Sequence, residues 1–246
     1  MWWLKAESRR IVGERAIRKR VSTFFDELRS EVLANVDVIP AATKRDKSLF
    51  DLTAAKARIA EMVSDDLRDM MFRALESAVS MVGENWELLR TEFDVEVERM
   101  LGDQLAKIRE SVDAVDAELK ARVAEIVQAN AESDANEIHE RLREGLGEKF
   151  DTLTDSRARL IARTSATSAT TGGQRAAWQA LEIEMAWLAQ PGARPTHAAA
   201  SGQRPDADGM FHVGDATGPG PGNMSTAGES CNCRCTLRPR PKKITE

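Results

Sequence analysis

Cysteine is nearly absent from this chain: the 246 residues hold three, and all fall at Cys231, Cys233 and Cys235. An odd, clustered set argues against a disulfide framework. Two cysteines one residue apart rarely pair without strain, so free thiols or metal-bound thiolates are expected. Proline is missing between Pro40 and Pro191. Because proline breaks helix interiors and glycine serves turns, the first part is expected to be helical and the last quarter loop-rich, with the change near residues 165–175. No apolar run approaches the roughly 20 residues that cross a bilayer. The opening Met1, Trp2, Trp3, Leu4 and Lys5 turns charged too soon for a signal peptide, so a soluble, intracellular product is expected. A basic excess is missing too: the net charge is −5, which argues against a dedicated nucleic-acid binder and leaves only local basic segments.

What is present is mostly helical periodicity. Ile11, Ile17, Val21, Phe24, Phe25, Leu28 and Val32 recur at steps of mostly three and four, predicting one amphipathic helix over residues 3–36 that ends by Pro40. After a polar connection, Ala41 to Lys47, residues 48–51 offer a start signal for a second helix. Ile59, Met62, Val63, Leu67, Met70, Met71, Leu75 and Val79 carry it to Val82, the two methionines reading as core filler. Past Gly83 and Asn85, the stripe Leu101, Leu105, Ile108, Val112, Val115, Leu119 alternates steps of four and three. Such a stripe suits either an antiparallel hairpin within one chain or a coiled coil between chains. The pattern continues through Val123, Ile126, Ile138, Leu142 and Leu146, with a break expected near Asn130 to Asp134 and an end at Gly145 and Gly147. After a further helical segment, Asp155 to Arg163, the small-residue run from Thr164 to Gly173 suits a flexible linker or a helix packed closely for want of bulk. Around Ile183 to Trp187 the period shifts towards two and predicts a strand.

The fold class expected is therefore mainly α: an elongated N-terminal helical region with long helical hairpins, and a small loop-rich α+β lobe at the C-terminus. The divisions expected are a basic amphipathic helix at 1–40, a helical body at 41–154 and a terminal domain with a basic tail at 155–246.

Carboxylates are spread evenly over helix faces with no nucleophile or ligand set beside them, and His139 reads as an exposed polar position, so acid/base chemistry is not indicated. The terminal lobe is different. His197, His212 and the three cysteines share a segment short of apolar residues, where a structural zinc ion on His197, Cys233 and Cys235 would supply stability. The competing reading is thiols buried in an apolar site. A Cys-His pair could also form an activated nucleophile, but no oxyanion donors accompany it. Arg194 and Arg234 read as buried clamps on loop carbonyls, with Asn232 serving backbone amides. Arg9, Arg10, Arg15, Arg18, Lys19 and Arg20 on the first helix, and Arg238, Arg240, Lys242 and Lys243 in the tail, read as solvated charge or as contacts to DNA phosphates or an acidic partner.

Ile161 to Thr164, Ala186 and Trp187, Arg194 to His197, Gly202, Gly209 to Phe211, Gly214, Gly218 to Pro221 and Asn232 to Cys235 resemble, in order and spacing, the Mu F-like phage head morphogenesis (minor capsid) protein family. The resemblance covers roughly residues 155–240, and marks Arg163, Thr164, Trp187, Arg194, Phe211, Asn232 and Arg234 as motif residues. It also favours the packed-helix reading of Thr164 to Gly173. Where relatives carry an aspartate and an arginine before the equivalents of Arg194 and His197, this chain has Gln190 and Gly192, and Ser165 stands where a glutamate is common.

The resemblance implies a bacteriophage virion protein and no enzyme: a low-copy internal head protein associated with the portal and other capsid or scaffold components. It would be assembled in the host cytoplasm, act in procapsid assembly and DNA packaging or ejection, touch double-stranded DNA, and meet no membrane before ejection. Other settings of the same domain are a DNA-binding module on the packaged genome and the C-terminal part of a portal-fused protein.

Overall fold

The computed structural model describes residues 2–38 and 48–240. Pro40, the connection Ala41 to Lys47, and Lys242 and Lys243 lie outside the described residues. Four long helices dominate: α1 (Trp2–Val38), α2 (Leu52–Met81), α4 (Asp94–Ala129) and α5 (Ala135–Ala180), with a short α3 (Trp86–Leu89) and a 3-10 turn, Arg90–Phe93, between the second and third of them. The remainder is a lobe built from β1 (Glu184–Leu188), α6 (Pro195–Ala199), β2 (Phe211–Val213), β3 (Ala216–Gly218), α7 (Ala227–Ser230) and β4 (Thr236–Arg240). This is the mainly α fold with a small terminal α+β lobe that the sequence predicts. No described helix is long and apolar enough to cross a membrane.

Local chemistry places the helix ends. The Asp51 carboxylate accepts from the Ala54 amide at 3.0 Å, capping α2. Asp134 accepts from the amides of Asn136 and Glu137 at 2.8 and 3.0 Å and opens α5, so the break expected after Asn130 is real. Gly145 and Gly147 do not end a helix, contrary to the sequence expectation: α5 runs through both. A Cβ at Gly145 would lie 2.6 Å from Ile126 Cδ1, so that glycine marks a close helix contact, not a C-terminus.

The chain clusters into two compact units that do not follow its order. One comprises residues 18–63 and 105–159, the other residues 1–17, 64–104 and 160–246. Each long helix divides between them, and α5 runs unbroken through residues 154 and 155, where the extent of the resemblance set a division.

In the first of these units the apolar stripes meet: Val21, Phe24, Phe25 and Leu28 of α1, Ile59 and Val63 of α2, Val112, Val115 and Leu119 of α4, and Leu142, Leu146 and Phe150 of α5 are all buried. The α4 stripe packs on its own chain as an antiparallel hairpin. Ile126 lies against Gly145, Arg122 is 4.0 Å from Glu148, and Glu118 pairs with Lys149 at 2.9 Å and with Arg157. Burial pushes the Glu118 carboxyl up, but hydrogen bonds from Lys149 and Arg157 outweigh it and hold the group below its ordinary range.

The other unit is organised by the second half of α5. Ala166, Thr167, Ser168, Ala169, Thr170, Thr171, Ala176, Ala177 and Trp178 are buried, so the run from Thr164 to Gly173 is a packed helix and not a linker. Its lack of bulk lets α2 approach: a Cβ at Gly173 would stand 2.7 Å from the Met71 carbonyl oxygen and 2.8 Å from Ala74 Cβ. One turn on, the Trp178 indole N–H donates to the Ala78 carbonyl at 3.2 Å.

Two glycine substitutions should therefore have opposite signs. Gly102→Ala in α4, where nothing lies within 4 Å, should stabilise by up to about 1 kcal/mol through helix propensity. Gly173→Ala should instead cost about 1–3 kcal/mol by overpacking. Chemical denaturation of the two variants checks this, and stabilisation by Gly173→Ala would refute the close approach.

Candidate metal centre

The lobe is assembled by two antiparallel strand pairs. β1 pairs with β4, setting Trp187 opposite Leu237 and Leu188 opposite Thr236. β2 pairs with β3 as a hairpin, Phe211 opposite Gly218. Trp187 is the hub of the small core. Its ring meets the His197 ring edge-on at 5.3 Å and the Phe211 ring at 5.6 Å, and its backbone carbonyl accepts from Gly202 at 2.8 Å.

Along one face of α5, Thr164, Thr167, Thr171 and Gln174 recur at helical steps of three and four and hold the loops of the lobe. Thr171 donates to the Pro221 carbonyl at 2.7 Å, and Thr167 donates to the Cys233 carbonyl at 2.7 Å. The Gln174 side-chain oxygen accepts from the Thr236 hydroxyl at 2.9 Å and from the Leu237 amide at 3.4 Å. The Asn232 amide donates to the Thr164 hydroxyl at 3.2 Å. Asn232 itself has φ 57, a left-handed conformation that asparagine tolerates better than most residues. That kink starts an alternation in which Cys233, Cys235 and Leu237 turn inward and Arg234 turns outward.

The inward sulfurs meet His197, placed by α6 directly after its Pro195 start. Both Cys233 Sγ and Cys235 Sγ lie 3.4 Å from His197 Nδ1. All three residues are buried, and their donor atoms fall within 4.8 Å of one another. For bonds of about 2.3 Å to sulfur and about 2.0 Å to nitrogen at tetrahedral angles, nitrogen and sulfur should stand about 3.5 Å apart. The separations here match that figure, so the cluster could hold a metal ion. The two thiols are mutually perturbed. A hydrogen bond from the Cys233 thiol lowers Cys235 to about 4, with help from His197 and against the effect of burial, while the same contact and burial push Cys233 up.

The far side of the imidazole is also engaged. His197 Nε2 lies 2.8 Å from Glu229 Oε2, with the carboxylate off the ring N–H axis, so the contact is electrostatic and not an aligned hydrogen bond. Glu229 accepts from the Thr196 hydroxyl at 3.0 and 3.2 Å and stands 3.7 Å from Arg194. Arg194 in turn donates to the Cys231 carbonyl at 2.6 Å, the loop clamp expected of it. All three cysteines are free.

Other expected residues are placed differently. Arg234 is exposed, not buried: it reaches Glu14 at 3.6 Å, because the strand alternation that turns the cysteines inward turns it outward. Arg163 lies 3.4 Å from the same Glu14 carboxylate and donates to the Asn232 side-chain oxygen at 3.4 Å, so Asn232 serves a guanidinium with its side chain. His212 pairs at 2.7 Å with Asp206 on the exposed side of the hairpin, apart from the sulfurs. His139 lies half-buried on α5. On α1, Arg10 is withdrawn from the surface, 4% exposed, between Glu7 and Glu14 and against Thr167, so it belongs to the fold and cannot reach phosphate. Arg9 is 4.0 Å from Glu76, and Arg18 is 2.5 Å from Asp155. Arg15, Lys19 and Arg20 are exposed, while Arg238 and Arg240 are half-buried in β4.

Glu14, Thr167, Gln174 and Glu229 were not picked out from the sequence. A carboxylate two residues before a cysteine cluster, and hydroxyls repeating at helical steps within a small-residue run, were the signals available. Comparison of the chain with known protein families, curated proteins and solved structures found no match.

The polar face of α5 generates a paired prediction. Thr167→Val removes the donor to a buried carbonyl and should cost about 1–3 kcal/mol. Thr170→Val, whose hydroxyl bonds, among the described residues, to Ala166 of its own helix at 2.8 Å, should cost no more than about 1 kcal/mol. Equal losses in denaturant titrations would contradict the assignment.

Proposed function

We propose that this chain is a minor head protein of a tailed phage, of the Mu F-like head morphogenesis type. It works as a structural and interaction protein inside the head, bound to the portal, in procapsid assembly and in packaging or ejection of DNA. The observation that supports the reading is convergence. Residues that the resemblance marks across the terminal part of the chain meet around one loop: Arg163 and Thr164 contact Asn232, Trp187 packs on His197 and Phe211, and Arg194 holds the Cys231 carbonyl.

The reading gives the cluster a structural role. Both nitrogens of His197 face partners, and the sulfurs are buried behind the loop, an arrangement that joins chain segments. Its resident ion is zinc: two thiolates and an imidazole are the soft and borderline donors that zinc takes. The ion would tie α6 to the strand leading into β4, in a lobe whose own apolar core is small.

Expressed together with the portal protein of the same genome, the chain should co-purify with portal or procapsid, and particles assembled without it should be defective in head assembly or DNA delivery. Normal particles with normal infectivity in its absence would overturn the proposal.

A further inference from the structure

A zinc-binding imidazole must present one nitrogen as a bare lone pair, and the partner of the other nitrogen decides which one. In His197 the two nitrogens face opposite surroundings. Nδ1 looks at two sulfurs, each 3.4 Å away. Nε2 looks at a carboxylate oxygen 2.8 Å away. A lone pair on Nε2 would lie beside the negative charge of Glu229 and be repelled by it, whereas an Nε2 proton is attracted at that distance even off the N–H axis, so the proton belongs on Nε2. Nδ1 is then the nitrogen whose lone pair is free for a metal.

Glu229 is itself held from three sides. The Thr196 hydroxyl donates to it, Arg194 stands beside it, and α7 carries it two residues ahead of Cys231. The carboxylate is mostly shielded, its side chain 17% exposed, while its partner His197 is at 2%, so water competes weakly for the imidazole.

From this geometry we infer that Glu229 is the positioning residue of the metal centre: it fixes the proton of His197 on Nε2 and thereby aims Nδ1 at an ion held by Cys233 and Cys235. Arg194 and Thr196 extend the arrangement by fixing Glu229. The inference rests on the zinc reading above and is independent of the proposed place in the phage head. It also accounts for a residue pattern that protein packing alone does not require, a charged carboxylate kept against a buried ring.

The test uses the full chain, purified without metal and titrated with cobalt(II) and zinc(II) against a competing chelator. Wild type should bind one ion per chain and give the intense visible absorption of tetrahedral cobalt on thiolates. Glu229→Ala should weaken binding by about 10–100-fold, with unchanged far-ultraviolet circular dichroism. Glu229→Gln, which keeps a side-chain oxygen near Nε2 but removes the carboxylate charge, should fall between wild type and Glu229→Ala. Nitrogen-15 shifts of His197 should report the Nε2–H tautomer in zinc-loaded wild type. Wild-type affinity in Glu229→Ala would overturn the inference and leave the zinc site standing, as would a Glu229→Gln variant as weak as Glu229→Ala. No metal on wild type would overturn both together.

Discussion

The closeness of α5 to its neighbours between Thr164 and Trp178 is the constraint on which the rest of the terminal unit depends. A helix can approach another backbone as nearly as Gly173 approaches the Met71 carbonyl only if it carries no side chain there. The same small residues leave hydroxyls on the opposite flank. Thr164, Thr167 and Thr171, with Gln174, supply hydrogen-bonding partners that an all-apolar helix would lack, and these engage the Asn232 amide, the Cys233 and Pro221 carbonyls, the Thr236 hydroxyl and the Leu237 amide. Loops without a large core of their own are thereby held in one conformation by a rigid element. A helix rich in leucine would bury more area and hold none of these groups.

The cysteine cluster follows from that support. With the Cys233 carbonyl fixed on Thr167 and Asn232 in its left-handed kink, alternation along the chain turns both sulfurs inward, towards the ring that Trp187 backs. The match of the nitrogen–sulfur separations to tetrahedral metal geometry is what makes the cluster able to hold a metal ion. The guanidiniums act around this centre: Arg194 on the loop carbonyl, and Arg163 and Arg234 on Glu14 of α1. Arg10 joins the same carboxylate from within α1. Residues first grouped by charge thus belong to the scaffold of the lobe.

Much of the helical architecture was legible because it rests on period. Stripes such as Val21, Phe24, Phe25, Leu28 and Val112, Val115, Leu119 are buried as their spacing requires. The glycines were legible only in part. At Gly145 the same residue type serves chain reversal in many sequences and helix contact here, and only the presence of Ile126 opposite decides between them. The donor set His197, Cys233 and Cys235 could be named from residue chemistry, whereas Glu229 could not, since carboxylates are common along the chain and its meaning comes from facing Nε2. Arg234 was misplaced for a local reason: a charge between two buried cysteines in an extended segment must point the other way.

Amide hydrogen exchange measures most directly the claim that α5 and the cysteine loop form one cooperative piece. The account predicts that amides from Ala166 to Ala177 and the Leu237 amide, which donates to Gln174, lose protection together with a common opening free energy as denaturant is raised. A Leu237 amide that exchanges freely while the helix stays protected would contradict it.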